Sequence, residues 1–318
     1  MTEFYIPPQG LYFRLLGYVS SRVLFSRTHM DPQMFHHPQN ESFGDQFFTL
    51  IHGTGKHAGY YALQARLTNK VLYSRMAEPR VGHVDGNGMY DDNWFKLELG
   101  TGKHASNFRL RCDCSDTVIF SRTGMEPQVG NIRAGEVFDD QYFSFLFEDM
   151  KIDRVVYYID QGKILSSTPI AIATQTLHND SDNQQAMEFS LSETETHSSS
   201  FDYTLGFTIT VGVSGKAGIP FVAEGGVKVD VANSNTFKWG STTTTSKTYS
   251  AKLPVTAPAR STLRAVSSIT RSTLNVPITV YSKSESSGFE VQTQGVYTGV
   301  TTWDLRHTVT VDGAPKVV

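Results

Sequence analysis

A threefold internal repeat constrains this 318-residue chain more than any other feature. Three tetrapeptides align, Leu24-Phe25-Ser26-Arg27, Leu72-Tyr73-Ser74-Arg75 and Ile119-Phe120-Ser121-Arg122, with their serines 48 and 47 residues apart. A second set, Asp45-Gln46-Phe47-Phe48, Asp92-Asn93-Trp94-Phe95 and Asp140-Gln141-Tyr142-Phe143, recurs at 47 and 48 residues. Between the two sets lie Asp31-Pro32, Glu78-Pro79 and Glu126-Pro127 at the same spacing. A unit repeated at fixed period buries its apolar face by packing on its own copies. Each copy reads as short alternating strands broken by Gly, Pro, Asn and Asp, without a helical period. Three such units predict a β-trefoil, four strands per copy around a pseudo-threefold axis. Three blades are too few for a propeller.

Composition narrows the partners. With 39% hydrophobic and 12% aromatic residues the chain is not disordered. A net charge of -3 argues against nucleic acid, and no apolar run approaches the roughly 18 residues of a transmembrane helix. Gly53-Thr54-Gly55-Lys56-His57 and Gly100-Thr101-Gly102-Lys103-His104 look like phosphate-loop fragments. They lack the four-residue glycine spacing and the Ser or Thr after the lysine, so they read as turns between repeats. Cys112 and Cys114 point to one face of an extended segment and pair poorly with each other. Two further ligands for a metal are not evident; no metal and no cofactor are expected. The first residues lack a basic cluster followed by an apolar stretch. Without a signal peptide, cytosolic storage or non-classical release is the expectation.

Polar residues recur within each copy where a turn needs only small ones. The second copy offers Arg75, Glu78, His83, Tyr90, Asp92 and Asn93; the third offers Arg122, Glu126, Asn131, Phe138, Asp140 and Gln141. The first offers Arg27, Asp31, His36, Phe43, Asp45 and Gln46. A sugar presents hydroxyls that donate and accept, plus an apolar face of C–H groups. A carboxylate, an amide and a flat ring match it, and each copy supplies all three. The same residues could instead brace turns and neighbouring repeats.

From about Met150 the repeat stops, and 20 of the 59 residues 192–250 are Ser or Thr. Within that stretch Phe207, Ile209, Val211, Val213, Gly215 and Ala217 alternate with polar or small residues. After Gly218-Ile219-Pro220 the alternation resumes as Phe221, Ala223, Gly225, Val227, Val229 and Val231. This predicts a hairpin over 207–231 with its turn at 218–220. A transmembrane strand needs about 9 to 11 alternating residues, and each arm meets that length. An amphipathic hairpin covering a soluble core fits the same alternation. Insertion carries a condition: a lone hairpin leaves backbone groups unpaired in lipid, so several chains must close one barrel.

Longer strings carry a family resemblance: 6–17 (IPPQGLYFRLLG), 138–150 (FDDQYFSFLFEDM), 164–169 (ILSSTP) and 303–308 (WDLRHT). The chain resembles the Laetiporus-type haemolytic lectins of fungi, within the aerolysin-like pore-forming group. The resemblance implies an all-β protein: a β-trefoil lectin over 1–150 and an elongated antiparallel pore-forming module over 151–318. It implies recognition of terminal galactose, as in lactose or N-acetyllactosamine, followed by homo-oligomerisation on the target-cell membrane. The contacts it implies are Tyr90, Asp92 and Asn93, and Phe138, Asp140 and Gln141, with Arg75 and Arg122 beside them. The first copy keeps Phe43, Asp45 and Gln46, but Met34-Phe35-His36-His37 departs from Val81-Gly82 and Val129-Gly130. A non-lytic lectin of defence or storage is the alternative. An enzyme is not expected, because the chain has no Gly-x-Ser-x-Gly turn.

Overall fold

A computed structural model describes residues 4–210, 212–223 and 226–312. The chain divides into two compact units, Met1–Met150 with Lys283–Glu290, and Lys151–Ser282 with Val291–Val318.

The first unit is a β-trefoil. Its first copy holds β1 (Phe13–Gly17), β2 (Arg22–Phe25), β3 (Phe35–Pro38) and β4 (Phe48–His52). The second holds β5 (Tyr61–Ala65), β6 (Val71–Ser74), β7 (Val81–Val84) and β8 (Lys96–Leu99). The third holds β9 (Phe108–Cys112), β10 (Thr117–Ser121), β11 (Val129–Arg133) and β12 (Tyr142–Phe147). Pairs β4–β5, β8–β9 and β12–β1 join successive copies and close the barrel, from Phe13 opposite Phe147 to Gly17 opposite Phe143. Hairpins β2–β3, β6–β7 and β10–β11 complete the three units. The period-2 burial of β1 follows from alternation: Phe13 and Leu15 face the core while Arg14 and Leu16 do not. The second aromatic of each repeated pair, Phe48, Phe95 and Phe143, is buried in that core. Its companion Trp94 lies under the His57 ring at 4.6 Å, and Tyr142 under His104 at 3.8 Å. Lys56 reaches Asp91, and Lys103 reaches Asp139, each at 2.6 Å. The two Gly-Thr-Gly-Lys-His loops therefore tie one repeat to the next. Cys112 and Cys114 are free thiols.

A short tab, Lys283–Glu290, belongs to the trefoil unit although it lies far along the chain. The Glu148 side chain, only 2% exposed, organises it. Its carboxylate accepts the Tyr12 N–H at 3.2 Å, the Ser287 hydroxyl at 2.9 Å, and the Ser286 hydroxyl. Phe289 lies against Gly10, where a Cβ would meet the ring at 2.7 Å and where φ is +97°.

The second unit is built from β13 (Met150–Tyr157), β14 (Lys163–Asn179), β15 (Gln185–Gly206), β16 (Ser214–Ala223), β17 (Gly226–Lys238), β18 (Thr243–Ala257), β19 (Ser261–Ser284) and β20 (Glu290–Asp312). One sheet runs β13-β19-β20-β15-β18, with β14 also on β19. Strand β15 pairs with β18 from Gln185 to Ser199 and with β20 from Ser198 to Gly206. Phe189, Leu191, Ala257, Leu263 and Ala265 share one apolar cluster. Strands β16 and β17 form a separate two-stranded sheet. Among the described residues no helix is long and apolar enough to cross a membrane, which says nothing about strands.

Candidate functional site

Single 3-10 turns, Gly44–Gln46, Asp91–Asn93 and Asp139–Gln141, carry the repeated acids Asp45, Asp92 and Asp140. The aromatic before each turn is turned out to solvent: Phe43 is 44% exposed, Tyr90 51% and Phe138 52%. Each repeat arginine lies over the ring two residues before it. Arg27 is 4.5 Å from the Phe25 centroid, Arg75 3.7 Å from Tyr73, and Arg122 4.2 Å from Phe120. Cation–π contact fixes the guanidinium without using all its N–H donors. These ring platforms were not among the expected site residues. The sign of them was present, as an aromatic two positions before each arginine.

The three copies are not alike electrostatically. Arg27 Nε donates directly to Asp45 Oδ2, while the buried Asp45 Oδ1 has no hydrogen-bond partner among the described residues. Burial pushes the Asp92 and Asp140 carboxyls above the usual carboxylate range, opposed by the positive charges of Arg75 and Arg122. The buried Arg75 Nε is also unpartnered among the described residues. The second and third copies thus hold an acid and a cation near each other beside an exposed ring.

Other expected contacts fall in the scaffold. Asn93 is fully buried, its Oδ1 taking the Tyr90 N–H at 3.1 Å and its Nδ2 donating to Leu72 O at 3.2 Å. Gln46 Oε1 takes the Phe43 N–H at 3.2 Å. Gln141 donates to Glu136 O at 2.9 Å and accepts from Arg109 at 3.1 Å. These amides shape the turn that presents the acid. His36, His83 and Asn131 clasp neighbouring copies through the repeated serines. His36 Nδ1 is 2.7 Å from Ser121 Oγ, His83 Nδ1 2.6 Å from Ser26 Oγ, and Asn131 Nδ2 donates to Ser74 Oγ at 2.8 Å. Asp31 pairs with Lys70 and His83, Glu78 with Arg80, and Glu126 accepts from Gln128. Among the described residues, none of these three acids bonds to the Asp45, Asp92 or Asp140 turns.

The expected hairpin is present with a different turn. Strands β16 and β17 pair from Ser214 opposite Lys238 to Ala223 opposite Gly226, so the chain reverses after Ala223, not at 218–220. Gly226 has φ +125°, which a glycine adopts without strain. Gly218-Ile219-Pro220 lies inside β16, where the register shifts between Gly218 and Ile219. Phe207 and Ile209, expected in the first arm, precede β16 and are buried. Val211 and the side chain of Val231 lie outside the described residues. Polar bonds hold the hairpin down: Tyr157 OH donates to Gly218 O at 2.6 Å, and the Val222 N–H to Thr301 Oγ1 at 3.3 Å. Phe201 stacks on Phe237 at 3.8 Å. A cavity of about 460 Å³ adjoins the hairpin, lined by Ile219, Phe221, His197, Lys247 and Tyr297 among others.

Residues 143–314 match the family model described as Clostridium epsilon toxin ETX/Bacillus mosquitocidal toxin MTX2. Among solved structures, the BEL beta-trefoil in an apo crystal form is 40% identical over 46% of this chain and 99% of its own, with a TM-score of 0.43. Lamprey immune protein is 17% identical over 96% of each chain, with a TM-score of 0.40. The aerolysin-like protein of Bombina maxima is 12% identical over 50% of this chain and 97% of its own, with a TM-score of 0.35. No curated protein matches the chain.

Proposed function

Because the chain belongs to the Clostridium epsilon toxin ETX/Bacillus mosquitocidal toxin MTX2 family, matched over residues 143–314, we propose that it is a glycan-guided pore-forming lectin. Its trefoil binds terminal galactose, as in lactose or N-acetyllactosamine. Its second unit oligomerises on the glycan-bearing membrane and contributes a hairpin to a transmembrane β-barrel. The observation that carries the lectin half is the repeated grouping of exposed ring, buried-side acid and ring-seated arginine: Tyr90, Asp92 and Arg75, then Phe138, Asp140 and Arg122. The ring packs the apolar face of the pyranose, the carboxylate accepts from its hydroxyls, and the guanidinium donates to them. In the first copy Arg27 already satisfies one oxygen of Asp45, so a sugar there must compete with it.

The membrane half rests on the family and on the alternation of 207–231. Lipid leaves no partner for an open strand edge, so the barrel requires a ring of protomers. The test is dye release from phosphatidylcholine vesicles carrying a lactosyl lipid. Release should occur with the lactosyl lipid, and excess free lactose should abolish it. Absence of release at any protein concentration would sink the pore reading, and release indifferent to lactose would sink the glycan reading.

A further inference from the structure

The cavity beside the hairpin is shaped by one face of the sheet. Along β15, alternate residues from Phe201 back to Glu195 share that face. Phe201 stands opposite Tyr297 of β20, and both rings are buried. The next row holds Thr243, Ser199 and Gly299, which carry small side chains or none. Ile219 and Phe221 of β16 cover the face without filling it, leaving about 460 Å³. That falls within the roughly 300 to 1,000 Å³ of small-molecule sites. His197 and Thr245 form the following row, and Glu195 and Lys247 the last. From the Phe201 row to the Glu195 row the strand runs about 20 Å, at roughly 3.3 Å per residue.

The two ends differ in chemistry. One is walled by Ile219, Phe221, Tyr297 and Val300. At the other, the Lys247 ammonium lies 4.9 Å from the Tyr249 centroid and, among the described residues, has no acid partner. Glu195, opposite it in the ladder, pairs instead with Arg271 at 3.6 Å. His197 Nε2 lies 2.5 Å from Thr302 Oγ1, which also meets the Tyr249 hydroxyl. Burial first, then the Lys247 charge, holds the His197 imidazole below the usual histidine range; Arg271 acts in the same sense and Glu195 against it. Asp230, the one acid in the lining, has an interaction of its own.

We propose that this cavity is a second binding site, for a small amphiphile with a single anionic head, such as a medium-chain fatty acid. Its apolar chain lies against Phe221 and Tyr297, and its carboxylate meets the ammonium of Lys247. Such an occupant touches the hairpin through Ile219 and Phe221, and the sheet through Tyr297 and Lys247. It therefore pins the hairpin in its docked position. The direct bonds beside the cavity are long, the Val222 N–H to Thr301 Oγ1 at 3.3 Å and the Tyr297 hydroxyl to Pro220 O at 3.4 Å. A ligand that binds only the docked form stabilises it in proportion to its concentration over Kd. The proposal requires neither the sugar site nor the pore.

Octanoate and 1-octanol, titrated calorimetrically into the full chain below any micelle-forming concentration, test it. Octanoate should bind one per chain, at least tenfold tighter than 1-octanol. Lys247→Met should bring octanoate down to the level of 1-octanol and leave 1-octanol unchanged. Thr245→Trp, which puts an indole into the cavity from an exposed strand position, should abolish both. An unchanged thermal midpoint shows that each variant is folded. In the unmodified chain the NMR titration midpoint of His197 should rise when octanoate binds, because a nearby anion favours the imidazolium. At octanoate ten times Kd, amide hydrogen exchange within 214–238 should slow by about tenfold. Absence of saturable octanoate binding, or binding indifferent to both substitutions, overturns the site. Equal affinity for 1-octanol overturns the anionic head, and unchanged exchange in 214–238 with octanoate bound overturns the pinning.

Discussion

At the scale of single residues, the proposed sugar site makes the two buried-side acids its pH-sensitive part. Burial holds Asp92 and Asp140 above the usual carboxylate range despite Arg75 and Arg122. A carboxylate that accepts sugar hydroxyls loses that capacity as pH falls through its pKa. With both values raised, lactose affinity should begin to fall at a higher pH than an ordinary aspartate would impose, and be constant above it. Titration calorimetry across pH 3 to 8 reads the curve (the range spans about one unit below and several above the unperturbed value). Asp92→Asn with Asp140→Asn should flatten it, and each should weaken its own site by about tenfold to a hundredfold, as expected for losing a charged hydrogen-bond partner. A pH-independent affinity in the unmodified chain would remove both acids from the site. The repeat made these acids legible, since only a recurring Asp after an aromatic draws the eye. It could not separate them from Asn93, His83 and Asn131, which recur as faithfully because they build the turns and clasps. Whether a polar side chain points outward or bonds a residue 57 positions away, as Asn131 does with Ser74, depends on tertiary contacts that no local pattern encodes.

At the scale of elements, strand periodicity was the most legible property and turns the least. The trefoil strands follow from period-2 burial within each repeat, and Phe48, Phe95 and Phe143 occupy equivalent core positions. The hairpin turn was misplaced because alternation reports which face a residue prefers, not where a ladder shifts. The register shift at Gly218 is compatible with that alternation only by breaking its phase. The tab Lys283–Glu290 was invisible for another reason. Ser286 and Ser287 look like ordinary turn residues until Glu148 is brought to them. Glu148→Ala should free the Tyr12 N–H and both serine hydroxyls from their acceptor. A lost set of hydrogen bonds to a buried charged group predicts destabilisation of about 2–4 kcal/mol. The measurement is urea denaturation of the trefoil signal together with limited proteolysis. The expected result is new cleavage within 283–290. An unchanged midpoint and an uncut tab would show that Glu148 contributes little to holding it.

At the scale of the whole molecule, the proposed function joins several weak sites on one chain to a ring of chains, and that combination would set how a membrane is chosen. A shallow sugar site binds on the order of 1 mM, or about -4 kcal/mol. That is too weak to hold one protomer on a sparsely glycosylated surface. Tethering converts each later contact into an intramolecular one, and avidity can exceed a single site by about 10² to 10⁴ when geometry allows. Leakage should therefore rise steeply, not linearly, with the lactosyl-lipid fraction. Losing one of the two open sites, through Asp92→Asn alone, should shift that curve to higher lipid fraction by more than twofold, while leakage at saturating glycan stays near that of the unmodified chain. The asymmetry follows because a crowded surface offers the remaining Asp140 site enough partners to hold each protomer until the ring closes. A linear dose curve, or an Asp92→Asn curve lowered uniformly at every lipid fraction, would mean that the sites act independently. Arg27→Ala provides the complementary case. Freeing Asp45 from its ion pair leaves its acid available to a sugar but removes the donor that the other two copies keep. It should therefore shift the curve far less than Asp92→Asn does.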